Sequence, residues 1–124
     1  MKNPIISDKA PAAVGPYVHA VDTGNMIFCS GQLGIDPATG ELVEGVESQT
    51  KQSLINLGAV LNEAGYDYKD VVKTLIFLDD INDFTAMNQV YSEFFSEDKP
   101  ARSCVEVANI PKGALVEIEC IAVK

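Results

Sequence analysis

An apolar run near the middle of the chain sets the strongest limit on its fold. Val71–Leu78 has the sequence Val-Val-Lys-Thr-Leu-Ile-Phe-Leu, and this density of β-branched and apolar side chains is typical of a central strand. Such a strand must be covered on at least one face and partly on the other. Because the run lies between two stretches of helical periodicity, the sequence predicts helices packed on a sheet.

The rest of the chain supplies the helices and the other strands. Apolar residues recur at every third or fourth position in two stretches, which predicts helices at residues 48–64 and 84–95. Alternating or apolar runs predict four further strands, at residues 17–22, 26–33, 101–110 and 114–123. The predicted order is ββαβαββ, preceded by an extended arm over residues 1–16, in which prolines recur too often for regular structure.

Composition and order together predict one α+β domain. The chain has 124 residues, of which 47% are hydrophobic, so we expect a single domain over residues 1–124 with a modest core. Two helices can cover only one face of a mixed sheet of about five strands. Since Val71–Leu78 and residues 114–123 carry apolar side chains on both faces, we expect the uncovered face to meet another subunit.

The charge of the chain argues against a nucleic-acid partner. Eighteen acidic residues against nine basic ones give a net charge of -9, which would repel a phosphate backbone over most of the surface. No stretch approaches the ~20 apolar residues of a membrane span, and the first residues lack the apolar run of a signal peptide. These features predict a cytoplasmic protein with no membrane or nucleic-acid partner.

Cysteine and histidine content excludes several kinds of metal site. Cys29, Cys104 and Cys120 form no CxxC pair, which favours a reducing compartment without a zinc centre. His19 is the only histidine, so a His-rich metal site is excluded, and we expect it at a half-exposed position on the first strand. We expect Cys29 and Cys120 in the core.

Charged side chains near the end of the chain form a candidate site. Alternation places Arg102 and Cys104 on one face of their strand. If the last two strands formed a hairpin, Cys104 would lie opposite Glu117, and Arg102 opposite Glu119. Arg102 suits either an internal ion pair or a substrate carboxylate, and the spacing alone favours the ion pair or a solvated strand edge. For Cys104, a small buried apolar residue is favoured over a nucleophile.

Two other features have both a structural and a functional interpretation. Gly31 closes an apolar strand, where a glycine marks either a β-bulge or a place at which a ligand meets the backbone. The stripe of Phe84, Tyr91 and Phe95 is interpreted as core, because its spacing is that of a packed helix and no basic groove accompanies it.

Four short segments together form a specific signature. They are Ala-Pro-Ala-Ala-Val-Gly-Pro-Tyr at residues 10–17, Cys-Ser-Gly-Gln at 29–32, Pro-Ala-Arg-Ser-Cys-Val at 100–105 and Val-Glu-Ile at 116–118. With these segments the chain resembles the RidA (YjgF/YER057c/UK114) family of reactive-intermediate deaminases. The similarity covers nearly the whole chain, and the Pro-Ala-Arg-Ser segment followed by Val-Glu-Ile is its most specific part.

The resemblance implies a fold, an assembly and a reaction. The fold is a chorismate-mutase-like α+β domain, and three copies form a barrel-like homotrimer with sites in the clefts between subunits. The reaction is hydrolysis of 2-imino acids, such as 2-iminobutanoate and 2-iminopropanoate, to 2-oxo acids and ammonia without metal or cofactor. These imines arise from enamines released by pyridoxal-phosphate-dependent dehydratases. A non-enzymatic small-molecule-binding regulator or chaperone-like member remains the alternative, and a ribonuclease, which needs a basic groove, is the third.

The resemblance also implies roles for individual residues. Arg102 matches the arginine that grips the substrate carboxylate, and Glu117 matches the acid that positions and activates the attacking water. Cys104 matches a pocket residue that places the substrate nitrogen. Further contacts at the cleft are implied for Tyr17, Ser30, Gly31 and Asn88. Lys99 stands where family members often place an aromatic or aliphatic residue, so the sequence leaves the substrate preference open.

Overall fold

Two α-helices pack on a six-stranded mixed sheet in the computed structural model, which describes residues 2–124. Met1, the first residue of the predicted arm and domain, lies outside the described residues. The strands are β1 (Asn3–Ile5), β2 (Ala20–Asp22), β3 (Met26–Leu33), β4 (Ile35–Asp36), β5 (Glu41–Leu42), β6 (Val71–Leu78), β7 (Ala101–Glu106) and β8 (Val116–Val123). The helices are α1 (Val46–Glu63) and α2 (Phe84–Phe94).

Strand order places β6 inside the sheet, as its apolar sequence predicted. The order across the sheet is β1-β2-β3-β8-β6-β7, with β4 and β5 forming a separate two-stranded ribbon. Strands β6 and β7 are parallel, and the other neighbouring strands are antiparallel. The sheet is therefore mixed, as predicted.

Most element bounds agree with the sequence predictions. The bounds of β3 and β6 match, and both helices begin and end within two residues of the predicted positions. The strand predicted at residues 17–22 begins only at Ala20, and the one predicted at residues 101–110 ends at Glu106. Strand β1 lies inside the predicted arm, where Pro4 is tolerated because β1 is an edge strand.

The predicted hairpin between the last two strands is wrong. Strand β7 pairs with one edge of β6 and β8 pairs with the other, so residues 107–115 step across the end of β6. Glu117 lies opposite Phe77, and Phe77 lies opposite Val105. Because directly opposed residues share a face, Glu117 lies on one face of the sheet, whereas Arg102 of β7 lies on the other.

Both helices cover the same face, as predicted. Helix α1 packs on β3 and β8 and against α2. Tyr91 of α2 reaches the same side of the sheet, where its hydroxyl lies 2.8 Å from Oγ1 of Thr74. Cys29 and Cys120 face each other in this core and are both buried, as predicted.

The opposite face of the sheet carries exposed apolar side chains. Phe28 is 45% exposed and Val105 is 44% exposed. Within residues 2–124, no helix is long and apolar enough to cross a membrane.

Candidate active site

A cleft of about 460 Å3 contains four of the residues that the sequence assigned to the site. Tyr17, Ser30, Gly31 and Glu117 all line it. Pro11 and Ala12 of the N-terminal arm line it as well. The arm therefore forms one wall of this cleft, and β3 and β8 form its floor.

The floor of the cleft is a β-bulge. The register between β3 and β8 shifts between Cys29 and Gln32, so Ser30 and Gly31 lie in the irregular stretch. A Cβ atom at Gly31 would lie 2.7 Å from Oε2 of Glu117 and 2.9 Å from its carboxyl carbon. The register shift confirms the bulge interpretation of Gly31. Glycine at this position also leaves the space that the Glu117 carboxyl group occupies.

The serine next to this glycine is hydrogen-bonded to the segment between the arm and β2. The hydroxyl of Ser30 donates a hydrogen bond of 2.8 Å to the Val18 carbonyl, and its backbone N–H donates one of 2.9 Å to the His19 carbonyl. Ser30 thus joins the floor of the cleft to the residues that lead into β2.

Two features of its surroundings raise the pKa of the Glu117 carboxyl. Partial burial raises the pKa of its carboxyl above the ordinary value, and the neighbouring Glu119 carboxylate raises that pKa further. A carboxyl whose pKa approaches the working pH is a more effective general base and acid than an ordinary glutamate. A raised pKa in a cleft is also typical of functional sites.

One face of α2 holds Arg102. Nη1 of Arg102 donates a hydrogen bond of 2.6 Å to the side-chain oxygen of Asn88. The guanidinium carbon lies 4.8 Å from the Tyr91 ring centroid and 5.5 Å from that of Phe84. Residues 84, 88 and 91 follow helical spacing, so a single helix face contacts the guanidinium. The Asn88 amide and two aromatic rings therefore contact the guanidinium. The predicted hairpin would have placed the Glu119 carboxylate opposite Arg102 instead.

A second cavity, of about 320 Å3, lies beside this arginine. Arg102, Asn88 and Tyr91 line it, and so does Lys99. The aromatic stripe of α2 is therefore core only in part. Tyr91 is buried, as predicted, but Phe84 is 36% exposed and flanks Arg102.

Cys104 has the environment of a packing residue. It is partly buried against the core. Burial raises the pKa of its thiol, and the Arg102 charge lowers that pKa by a smaller amount. A raised pKa leaves little reactive thiolate, which agrees with the expectation that Cys104 is not a nucleophile.

The prediction for His19 is wrong. His19, expected at a half-exposed position on a strand, precedes β2 and is only 1% exposed. Both of its ring nitrogens contact backbone groups of the arm. The density of Pro and Gly in the arm was the available signal, because such a segment needs partners outside itself for its backbone groups.

The predicted site residues form two groups within one chain. Tyr17, Ser30, Gly31 and Glu117 line the first cleft, whereas Asn88 and Arg102 line the second cavity. Glu117 and Arg102 lie on opposite faces of the sheet. Within residues 2–124, no group of three or more His, Cys, Asp or Glu side chains is arranged to hold a metal ion.

These features define a class: small α+β proteins whose main mixed sheet has a glutamate-containing cleft on one face and an aromatic-flanked arginine on the other. Residues 7–124 match the family model described as endoribonuclease L-PSP. The chain belongs to this family, which is the RidA family that its sequence resembles.

Individual relatives match over almost the full length. The 2-iminobutanoate/2-iminopropanoate deaminase of Escherichia coli is 50% identical over 127 residues, which cover 100% of this chain and 99% of the relative. The crystal structure of RidA from a Psychrobacter species matches with a TM-score of 0.96 at 48% identity, over 98% of this chain and 99% of that one. E. coli TdcF with bound serine matches with a TM-score of 0.96 at 45% identity, over 99% of both chains. These structures confirm the α+β fold.

Proposed function

We propose that this chain is a 2-iminobutanoate/2-iminopropanoate deaminase. Its substrates are the reactive imines that follow from enamines released by pyridoxal-phosphate-dependent dehydratases, and its products are 2-oxo acids and ammonia. The observation that carries the proposal is the Glu117 carboxyl, held over Gly31 in a cleft with its pKa raised by burial. The proposal is supported by full-length identity of 50% to the E. coli enzyme of that name.

Glu117 supplies the proton transfers. Its carboxylate accepts a proton from water as the water oxygen bonds to the carbon of the protonated imine, which gives a tetrahedral amino alcohol. Glu117 then gives this proton to the amino nitrogen. As the carbon–nitrogen bond breaks and ammonia leaves, the carboxylate accepts the hydroxyl proton and the carbonyl forms. A raised pKa suits both steps because the same group must accept the proton and give it back. The reaction consumes one water and needs no cofactor.

Arg102 binds the substrate carboxylate. Asn88 occupies Nη1 of the guanidinium, and two rings limit its motion. A guanidinium held in this way can bind a carboxylate with less loss of side-chain entropy than a free arginine. The TdcF relative was solved with serine, which carries an α-carboxylate like that of a 2-imino acid.

The site is completed by a second copy of the chain. Arg102 and Glu117 lie on opposite faces of the sheet, so one active site that contains both must draw them from two subunits. We propose a homotrimer with three such sites, in which Tyr17 forms a wall and Cys104 lies beside the substrate nitrogen. A barrel-like trimer would also bury the exposed Phe28 and Val105.

The proposal also includes the location and the domain organisation of the protein. We propose a cytoplasmic single-domain enzyme. The family model carries the name of an endoribonuclease, but the net charge of -9 disfavours binding of a phosphate backbone.

The test is an assay on 2-iminobutanoate generated in situ, with release of 2-oxobutanoate and ammonia measured above the spontaneous rate. We expect the wild-type protein to accelerate hydrolysis, and Arg102→Ala and Glu117→Gln to lose roughly a hundredfold or more. Glu117→Gln keeps the size of the side chain but cannot accept the proton. If the wild-type protein adds nothing over buffer and still binds a 2-oxo acid, the chain is a ligand-binding regulator.

A further inference from the structure

The side chain of His19 is bonded at both ring nitrogens. Nδ1 lies 3.0 Å from the backbone N–H of Ser7, and Nε2 lies 2.7 Å from the carbonyl oxygen of Pro11. A backbone N–H can only donate and a carbonyl oxygen can only accept. Nδ1 must therefore be unprotonated, and Nε2 must carry the proton and donate it to Pro11. Both bonds require the neutral form of the imidazole.

These bonds connect His19 to both sides of the Glu117 cleft. Ser7 is buried, and Pro11 is itself a lining residue of the cleft wall. On the other side, the His19 carbonyl accepts the N–H of Ser30, next to Gly31 on the floor. His19 thus fixes the distance between the arm and the bulge.

We propose that His19 is a positioning residue whose neutral imidazole holds the arm wall of the Glu117 cleft, so that protonation of His19 releases this wall. The protonated ring carries a second N–H on Nδ1, which would point at the Ser7 N–H. The hydrogen bond is then lost and two donors face each other. Docking of the arm uses the unprotonated ring, so it is present at high pH and is lost as the pH falls. The effect on catalysis rests on the proposed function, but the effect on the arm does not.

Few charged groups surround this histidine. Asp8 and Tyr17 line a cavity of about 500 Å3 together with His19. Lys9 belongs to the same turn of the arm, and its N–H donates to the Ser7 hydroxyl. On β3, Cys29 pairs with Ala20, the neighbour of His19. Asp8 and Lys9 are both exposed, so solvent and salt screen their charges. Neither residue replaces the Nδ1 acceptor that the Ser7 N–H loses when His19 is protonated.

The test is amide hydrogen exchange of residues 7–17 in three proteins across about pH 5 to 8, the range in which histidines change charge. His19→Gln keeps one acceptor and one donor but does not titrate. His19→Leu removes both. Exchange rates are divided by those of an unstructured peptide at each pH, and the amides of β6 serve as the internal control.

We expect protection of the arm in the wild-type protein to fall about tenfold or more at the acidic end. Protection in His19→Gln should stay constant, and in His19→Leu it should be low at every pH. If the wild-type protein and His19→Gln lose protection in parallel, or if neither loses any, the proposal is wrong. Should His19→Leu fail to fold, the comparison of the wild-type protein with His19→Gln decides the matter alone.

Kinetics then separate this proposal from the proposed function. On acidification, KM for the imino acid should rise about tenfold more in the wild-type protein than in His19→Gln, with a smaller change in kcat, because the arm forms a wall of the substrate cleft. Titration of Glu117 and of the imine affects both proteins equally. Equal KM changes in the two proteins would contradict the positioning role. Absence of activity in every protein would overturn the deaminase proposal and leave the exchange result standing.

Discussion

The carboxyl group of Glu117 lies in the space that a side chain at Gly31 would need. A Cβ atom there would come within 2.7 Å of Oε2 and 2.9 Å of the carboxyl carbon, distances that real Cβ contacts essentially never show. The atoms in conflict belong to the end of a flexible side chain, not to the backbone. A larger residue at position 31 would therefore displace the carboxyl group and leave the sheet in place.

Gly31→Ala should separate activity from stability. We expect deaminase activity to fall by about tenfold to a hundredfold, because the carboxyl moves by a distance that matters for proton transfer. We expect the melting temperature to change little. Gly40→Ala is the control for activity only. A Cβ at Gly40 meets nothing within 4 Å, so activity should stay full, whereas the φ of 74° at this position strains an alanine and should lower the melting temperature. Full activity in Gly31→Ala would show that the position of the carboxyl does not matter.

Asn88→Asp should weaken substrate binding without disturbing the fold. The change places a carboxylate about where the Asn88 oxygen now lies, 2.6 Å from Nη1 of Arg102. This carboxylate would pair with the guanidinium and compete with that of the substrate, so we expect KM to rise by about tenfold. The melting temperature should stay the same or rise. Steady-state kinetics and thermal unfolding measure the two effects, and an unchanged KM would contradict the role of Arg102 as carboxylate binder.

The pKa of Glu117 predicts the acid limb of the pH–rate profile. Because burial and then Glu119 raise this pKa, the carboxylate needed for water activation is lost at a higher pH than for an ordinary glutamate. Activity should therefore fall on acidification with its midpoint above that ordinary value. Glu119→Gln removes the second cause and should move the midpoint to lower pH. A midpoint that does not respond to Glu119→Gln would assign the acid limb to another group.

The raised pKa of Glu117 also predicts how stability depends on pH. A carboxyl whose pKa is raised on folding binds its proton more tightly in the folded state, so its contribution is favourable at low pH and is lost as the pH rises through the folded pKa. Glu117→Gln removes the cost of the buried charge and should raise the melting temperature at neutral pH but not at acidic pH. A decrease at neutral pH would mean that the carboxylate makes favourable contacts that burial does not outweigh.

Local patterns predicted the elements of this fold and left their arrangement open. The apolar runs of β3 and β6 fix both bounds because propensity and burial agree there. Strands β4 and β5 have two residues each, too few for any periodicity. The register of β7 and β8 could not be predicted, because the turn chemistry at Pro111–Gly113 suits a hairpin and gives no sign that β6 lies between the two strands.

For the candidate site, too, the sequence predicted individual residues but not their arrangement. The signature segments marked Arg102 and Glu117, yet nothing in the local sequence placed them on opposite faces of the sheet. The bonds of His19 were missed for a related reason. Its partners are backbone groups 12 and 8 residues away, and a backbone N–H or carbonyl has no signature in the sequence.

The separation of Arg102 from Glu117 yields the sharpest test of the assembly. Arg102→Ala and Glu117→Ala should each form inactive trimers of about three times 13.3 kDa in light scattering. If each site draws Arg102 from one subunit and Glu117 from the next, mixed trimers contain some sites with both residues intact. Random mixing of equal amounts should restore about a quarter of the wild-type activity, because each of the two positions is intact in half of the cases.

The control for this complementation is the double variant Arg102→Ala with Glu117→Ala, co-refolded with the wild-type protein. If each site is shared between two subunits, random mixing again leaves both residues intact at about a quarter of the sites, because both contributing subunits must be wild type. A site confined to one subunit would instead retain about half of the activity in this mixture and none in the mixture of single variants. The two mixtures therefore have equal activities if the site is shared. If the site is confined to one subunit, only the mixture with the wild-type protein is active.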